Sequence, residues 1–273
     1  MQTLFVSFGN QEVAVAGEVE EVLVPLAHNF RELLVPVPYK LLDTLTVRRE
    51  GDRYVVDGAD QFGDHDGTLH GAMQCLKFEI VFRFVREHRE LLWLHAGAAA
   101  KGGRAVVMCG TWGRGKSTLV SNLCLRGWSY LSDDIVPVSL ETGELVPFPL
   151  TPQMREHAAT EDDRLLSPGE VAQLEKRTIE LREGQIDAGR CAIAALIFPQ
   201  YSPEADMRLV RTAPASATLE LLQNCLNLKM HRGEAVRYLG KLVERTPAFH
   251  LPYRHGEAAA QLLIHTHAQG FPF

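Results

Sequence analysis

The stretch CGTWGRGKSTL, Cys109 to Leu119, carries the clearest chemistry in the chain. Gly110, Gly115, Lys116 and Ser117 fit G-x-x-x-x-G-K-[ST], a pattern in which glycines let backbone N–H groups turn inward on phosphate oxygens. A chain of this length meets the pattern by chance roughly once in a hundred. Lys116 is placed to reach the outer phosphates, and the Ser117 hydroxyl to ligate Mg²⁺. Gly113 relieves crowding in the loop, Thr111 lies within it and Thr118 follows it. Trp112 and Arg114 carry two readings: surface side chains, or groups that cover a nucleotide and touch the transferred group.

A phosphate loop alone does not name a reaction. The next expected strand, WSYLS, ends in Asp133-Asp134. Successive residues at a strand end point differently, so two carboxylates can take two tasks: one on a metal, the other taking a proton from an attacking hydroxyl. His95, in WLHAG, precedes the loop by one turn and one strand. If those strands are neighbours, its imidazole falls near the γ-phosphate, where it can neutralise charge, steer a carboxylate or bind a metal.

These residues need elements to hold them. AVVMC reads as a short strand buried on both faces. KSTLVSNLCLRG reads as a helix stopped by Gly127. LLWLHAGAAA is a further apolar run, and IVPVSLETGELVPFP a hairpin turning at ETGE. CAIAALIFPQ is a buried strand and FHLPYR a final one. Three helices are expected over ASATLELLQNCLN, GEAVRYLGKLVERT and GEAAAQLLIHTHAQ. Between the hairpin and the CAIAALIFPQ strand, residues 151–190 are charged and irregular, with a helix expected at SPGEVAQLEKR.

Upstream, TLFVSF, EVAVAG, LLVPVP, LTVRR and RYVVDG read as short strands between turns. GADQFGDHDG, 58–67, is read as a solvated loop; its Asp spacing lacks the downstream Glu of a calcium loop. Leu76, Ile80, Phe84 and Val85 recur at helical spacing over 68–90. The expected organisation is a small β-rich region over 1–67, a connecting helix over 68–90 and a nucleotide-binding domain over 91–273.

The bulk numbers bound the partners. The chain has 273 residues, net charge −6 and a 46% hydrophobic content, which suits a folded protein with a sizeable core. No dense Lys/Arg run is present, so nucleic acid is not expected. No apolar run is long enough for a membrane span to be expected, and the opening MQTLFVSFGNQEVAVAG, without a basic start and a long apolar run, gives no expectation of a secretory signal. Cys75, Cys109, Cys124, Cys191 and Cys225 are scattered singly and odd in number, which points to core thiols in a reducing cytoplasm.

Taken together, residues 94–138, LHAGAAAKGGRAVVMCGTWGRGKSTLVSNLCLRGWSYLSDDIVPV, resemble the core of the HPr serine kinase/phosphorylase family. The shared order is a His, a short hairpin, a phosphate loop, RG closing the helix and a DD strand. It is broadly similar to the ATP-dependent phosphoenolpyruvate carboxykinases. The match is best to the shorter, divergent HPr-kinase-like proteins, with Pro147-Phe148-Pro149 as their PFP stretch. The resemblance implies an α/β (α+β) fold: a phosphate-loop kinase core with a mixed central sheet flanked by helices. It implies that Gly110 to Thr118 bind the phosphates of ATP, that Asp133 is the base, that Asp134 assists Mg²⁺ with Ser117, and that His95 is the active-site histidine. A homo-oligomer is also implied. The glycine- and arginine-rich signature that follows the acidic pair in full HPr kinases has no counterpart here, which removes HPr itself as the expected substrate. Arg155, Lys176, Arg177, Arg182 and Arg190 are the basic candidates in that half.

The expected function is transfer of the γ-phosphoryl group of ATP to a serine-like hydroxyl of a protein or peptide, a natural-product precursor peptide being one class. A kinase of a small hydroxyl-bearing metabolite and a non-catalytic ATP-binding regulator are the alternatives. A mechanical ATPase or GTPase ranks last, because no guanine signature and no ABC-type signature helix is present.

Overall fold

A computed structural model describes residues 1–155, 176–187 and 189–272. The chain forms two compact units, Met1–Arg89 and Glu90–Phe273. Among the described residues, seven α-helices accompany mixed β-sheets.

The first unit holds β1 (Gln2–Phe8), β2 (Gln11–Gly17), α1 (Glu20–Asn29), β3 (Leu34–Val35), β4 (Leu41–Glu50), β5 (Arg53–Asp57) and α2 (Leu69–Glu87). Its five-stranded sheet runs β3-β1-β2-β4-β5, with β2 and β4 parallel. Val13, Val15, Leu45 and Val47 alternate along their strands and are buried. The expected strands are all present, but α1 is a helix where strand and loop were read. Pro25 and two valines disguise it, while Val22, Leu23 and Leu26 form its buried stripe. Thr68 caps α2 by accepting from the Gly71 N–H at 3.0 Å. The buried Glu79 carboxylate of α2 accepts the N–H groups of Gln61 and Phe62 at 2.7 and 2.6 Å and pairs with Arg83. Arg83 also reaches Asp43 at 2.6 Å. These bonds tie the 58–67 loop to the helix.

The second unit is built on a six-stranded mixed sheet. Its strands are β7 (Ala96–Lys101), β8 (Arg104–Cys109), β9 (Ser129–Ser132), β13 (Ala192–Tyr201), β14 (Val210–Arg211) and β15 (Ala248–Tyr253), in the order β14-β15-β13-β8-β7-β9. β8, β13 and β15 are parallel; β7 runs antiparallel to both β8 and β9. Two further pairs, β6 (Leu91–Leu94) with β10 (Val136–Ser139) and β11 (Gln153–Arg155) with β12 (Lys176–Thr178), are antiparallel.

Both faces of the sheet are buried. Ala105, Val107 and Cys109 of β8 join a core with Leu92, Leu94 and the apolar stripes of α4 (Pro214–Gln223) and α6 (Gly233–Arg245). The alternate residues Val106 and Met108 pack with α3 (Lys116–Leu125) and α7 (Gly256–Gln269). Burial on both sides is why AVVMC has no polar residue. A short helix, α5 (Leu228–His231), was not anticipated.

The apolar run LLWLHAGAAA holds two strands that meet at His95, β6 in one sheet and β7 in another. The helix expected over 167–177 falls mainly outside the described residues, and its last two positions, Lys176 and Arg177, lie in β12. The ETGE turn closes as expected, Ser139 N–H donating to the Glu144 carbonyl at 2.9 Å.

Candidate active site

The parallel strands β8, β13 and β15 end on the same side of the sheet, the side where ligands bind in open α/β sheets. β8 runs into the Gly-rich loop there. Gly113 and Gly115 take φ of +80° and +88°, a left-handed conformation that glycine adopts without penalty. Helix α3 then starts at Lys116 with no side-chain cap, leaving the N–H groups of its first turn suited to an anion.

Lys116 is only 5% exposed. Its ammonium reaches the carbonyls of Gly110 and Thr111 at 2.8 and 3.1 Å and Nε2 of His95 at 3.1 Å. Burial pushes its pKa below the usual lysine value, and Asp134 and Asp133 oppose that shift. Nδ1 of His95 lies 2.8 Å from the Asp134 carbonyl. A carbonyl only accepts, so Nδ1 carries the proton and Nε2 is left to accept from Lys116. The His95 N–H donates to the Asn224 carbonyl at 2.7 Å, which holds the residue at the break between β6 and β7.

On the other side of the loop, Ser117 Oγ donates to Asp133 Oδ1 at 3.1 Å. That same oxygen accepts the Asp134 N–H at 3.1 Å. Asp133 is 7% exposed, and Asp134 is half-buried at φ +75°, an uncommon conformation for a residue other than glycine. Gly97 of β7 makes room for the pair: a Cβ there would lie 3.3 Å from Asp133 Oδ1 and 2.7 Å from Val120 Cγ2. The Ser132 hydroxyl sits between the carbonyls of Ile135 and Phe148, 2.8 Å from the latter. The Pro147-Phe148-Pro149 stretch thus buttresses the acidic turn, with Phe148 edge-on to Trp93.

Of the expected site residues, Gly110, Thr111, Lys116, Ser117, His95, Asp133 and Asp134 form one hydrogen-bonded cluster. Trp112 stands 43% exposed on the loop. Arg114 directs Nε toward Thr111 Oγ1 at 3.4 Å, and its carbonyl accepts from the Tyr201 N–H. Arg182 and Arg190 are exposed, and Arg155 pairs with Lys176 in register between β11 and β12.

Tyr253 was not anticipated. At the end of β15 it is fully buried, and its hydroxyl donates to the Gly115 carbonyl at 2.8 Å. A Cβ on Gly115 would lie 1.8 Å from that oxygen. The signal was FHLPYR itself: a strand parallel to the loop's strand must deliver its last residue to the ligand side.

The oxygen pair of Ser117 and Asp133 suits a hard cation such as Mg²⁺, which takes one or two protein ligands plus phosphate oxygens and waters. Among the described residues, no group of three or more His, Cys, Asp or Glu is placed to cage a metal. No family model matches the chain, and no match to it was found among curated proteins.

Proposed function

We propose that the second unit is a phosphate-loop kinase core. It transfers the γ-phosphoryl group of ATP to a serine-like hydroxyl of a protein or peptide. The observation that carries this reading is the convergence of Lys116, Ser117, His95 and the acidic pair at one end of β7, β8 and β9. A loop that merely turned a strand into a helix would have no use for a buried lysine facing a histidine and two carboxylates.

In this reading the loop from Gly110 to Thr118 wraps the phosphates with its N–H groups. Lys116 turns from its carbonyl partners to the outer phosphates and offsets the charge that develops on transfer. His95 holds the ammonium on course. Ser117 and one carboxylate of the pair would hold Mg²⁺, which would supply charge neutralisation for the phosphates. The other carboxylate accepts the proton of the acceptor hydroxyl. No helix among the described residues is long and apolar enough to cross a membrane, and the five cysteines are free and buried. A reducing cytoplasm fits those thiols.

The test is incubation of the full chain with γ-labelled ATP, Mg²⁺ and serine-bearing peptides, including the products of neighbouring genes. Label on a serine, lost with Lys116→Ala, is the expected result. ATP binding with no transfer to any acceptor overturns the kinase reading in favour of a regulatory nucleotide-binding protein.

A further inference from the structure

The acidic pair raises a question of division. The resemblance gives the base to Asp133 and the metal to Asp134. From the geometry we infer the reverse: Asp133 is the metal-side carboxylate, and Asp134 is the catalytic base that meets the acceptor hydroxyl. This rests on the kinase reading of the same site.

Three observations carry it. First, Asp133 Oδ1 already shares a hydrogen with Ser117 Oγ at 3.1 Å. An ion that takes the serine oxygen therefore finds this carboxylate oxygen beside it, both hard donors. Second, Asp133 is enclosed. It is 7% exposed, its Oδ1 also accepts the Asp134 N–H, and Gly97 closes over it with no room for a Cβ. A base must come within hydrogen-bond reach of the hydroxyl it serves, and a peptide-borne hydroxyl arrives from solvent. Asp134 is the more exposed of the two. Third, the Asp134 backbone is fixed on both sides. Its N–H is on Asp133 and its carbonyl on His95 Nδ1 at 2.8 Å, which holds it at φ +75°. Strained backbone of this kind persists where the surroundings over-determine it. His95 is then a positioning residue for Asp134 as well as for Lys116.

The transfer step balances on these groups. The acceptor O–H breaks and its proton passes to the Asp134 carboxylate. The oxygen's electron pair forms the bond to the γ-phosphorus. The bond from that phosphorus to the β,γ-bridging oxygen breaks, and its electrons leave with ADP.

The experiment measures affinity for a non-hydrolysable ATP analogue by calorimetry as Mg²⁺ is raised, with the full chain. Asp133→Asn should raise the Mg²⁺ needed for tight binding by about tenfold or more. Asp134→Asn should leave that requirement unchanged while lowering transfer about 10²–10⁴-fold. Ser117→Ala repeats the test where Asp133→Asn fails to fold. Combined with Asp133→Asn it should add little, whereas combined with Asp134→Asn its effect on Mg²⁺ should add in full. Ser117→Ala that changes no Mg²⁺ requirement, or a requirement that moves with Asp134 and not Asp133, overturns the division and leaves the kinase reading standing. A wild-type chain that binds no nucleotide overturns both.

Discussion

The ammonium of Lys116 stands 3.1 Å from Nε2 of His95, and the far side of that ring is pinned by the Asp134 carbonyl at 2.8 Å. A single imidazole thus connects the Gly-rich loop to the acidic turn. Replacing it with leucine strips a buried cation of one acceptor, which should destabilise the nucleotide-free protein by about 1–3 kcal/mol. His95→Gln, which can still accept a hydrogen bond, should recover part of that. ATP should stabilise the leucine variant more than the wild type in thermal melts, because its phosphates replace the lost acceptor.

Tyr253 anchors the loop from a distant strand. Tyr253→Phe removes one hydroxyl and leaves the Gly115 carbonyl without its donor, a loss of about 0.5–1.5 kcal/mol in chemical denaturation. On the proposed kinase reading, the same variant should raise KM for ATP more than it lowers kcat, since it loosens the Gly-rich loop and leaves the acidic turn alone. Gly115→Ala should be worse on both counts, because its Cβ would stand 1.8 Å from the tyrosine oxygen at a φ of +88°.

Asp134 holds a left-handed backbone that glycine would adopt freely. Asp134→Gly should therefore raise stability by about 0.5–1 kcal/mol, after the flexibility glycine adds to the unfolded chain is counted. Phosphoryl transfer should fall about 10²–10⁴-fold in the same protein. Melting curves and rates taken together check this opposition, and a variant that loses both stability and rate would contradict it.

Burial pushes the pKa of His250 and of His267 below the usual histidine value. Folding therefore resists their protonation, and the unfolded chain binds more protons as pH falls past 6.5. The sign is a loss of stability as the solution is acidified from the unfolded value down to the lowered folded values. Melting temperatures measured from about pH 7 to pH 5 should fall less steeply in a His250→Gln, His267→Gln double variant than in the wild type.

In the first unit, Arg83 neutralises Glu79 in the core, and Glu79 in turn receives two backbone N–H groups of the 58–67 loop. Arg83→Leu strands a buried carboxylate, which should destabilise by about 3–5 kcal/mol. Fluorescence-monitored urea titration of the full chain gives the number.

Much of this was legible in the residues. The strand, loop and helix around Lys116 declare themselves by an unbroken apolar run, glycines and a Gly stop, all local signals. What local signals cannot carry is adjacency. Nothing in WSYLS says that β7 stands between it and β8, or that β15 lies parallel to the loop's strand. Those are long-range pairings, fixed by packing across the whole sheet. Tyr253 and Gly97 were missed for that reason. Helix α1 was missed because Pro25 and its valines argue locally for something other than the helix that burial of Val22, Leu23 and Leu26 enforces. His95 is legible as a strand end; that the break there puts the strands on its two sides in different sheets is not, because both share one apolar composition.

That break has a consequence for how the segment tolerates change in length. His95 is the single residue between β6, in register with β10, and β7, in register with β8 and β9. Adding or deleting one residue on either side slides a whole strand and turns the imidazole away from Lys116, however well the composition is kept. A few residues on, the β7–β8 turn offers the opposite: nothing stands within 4 Å of a Cβ built on Gly102 or Gly103. A tag, a fluorophore or new chain ends belong in that turn, where both strands keep their count.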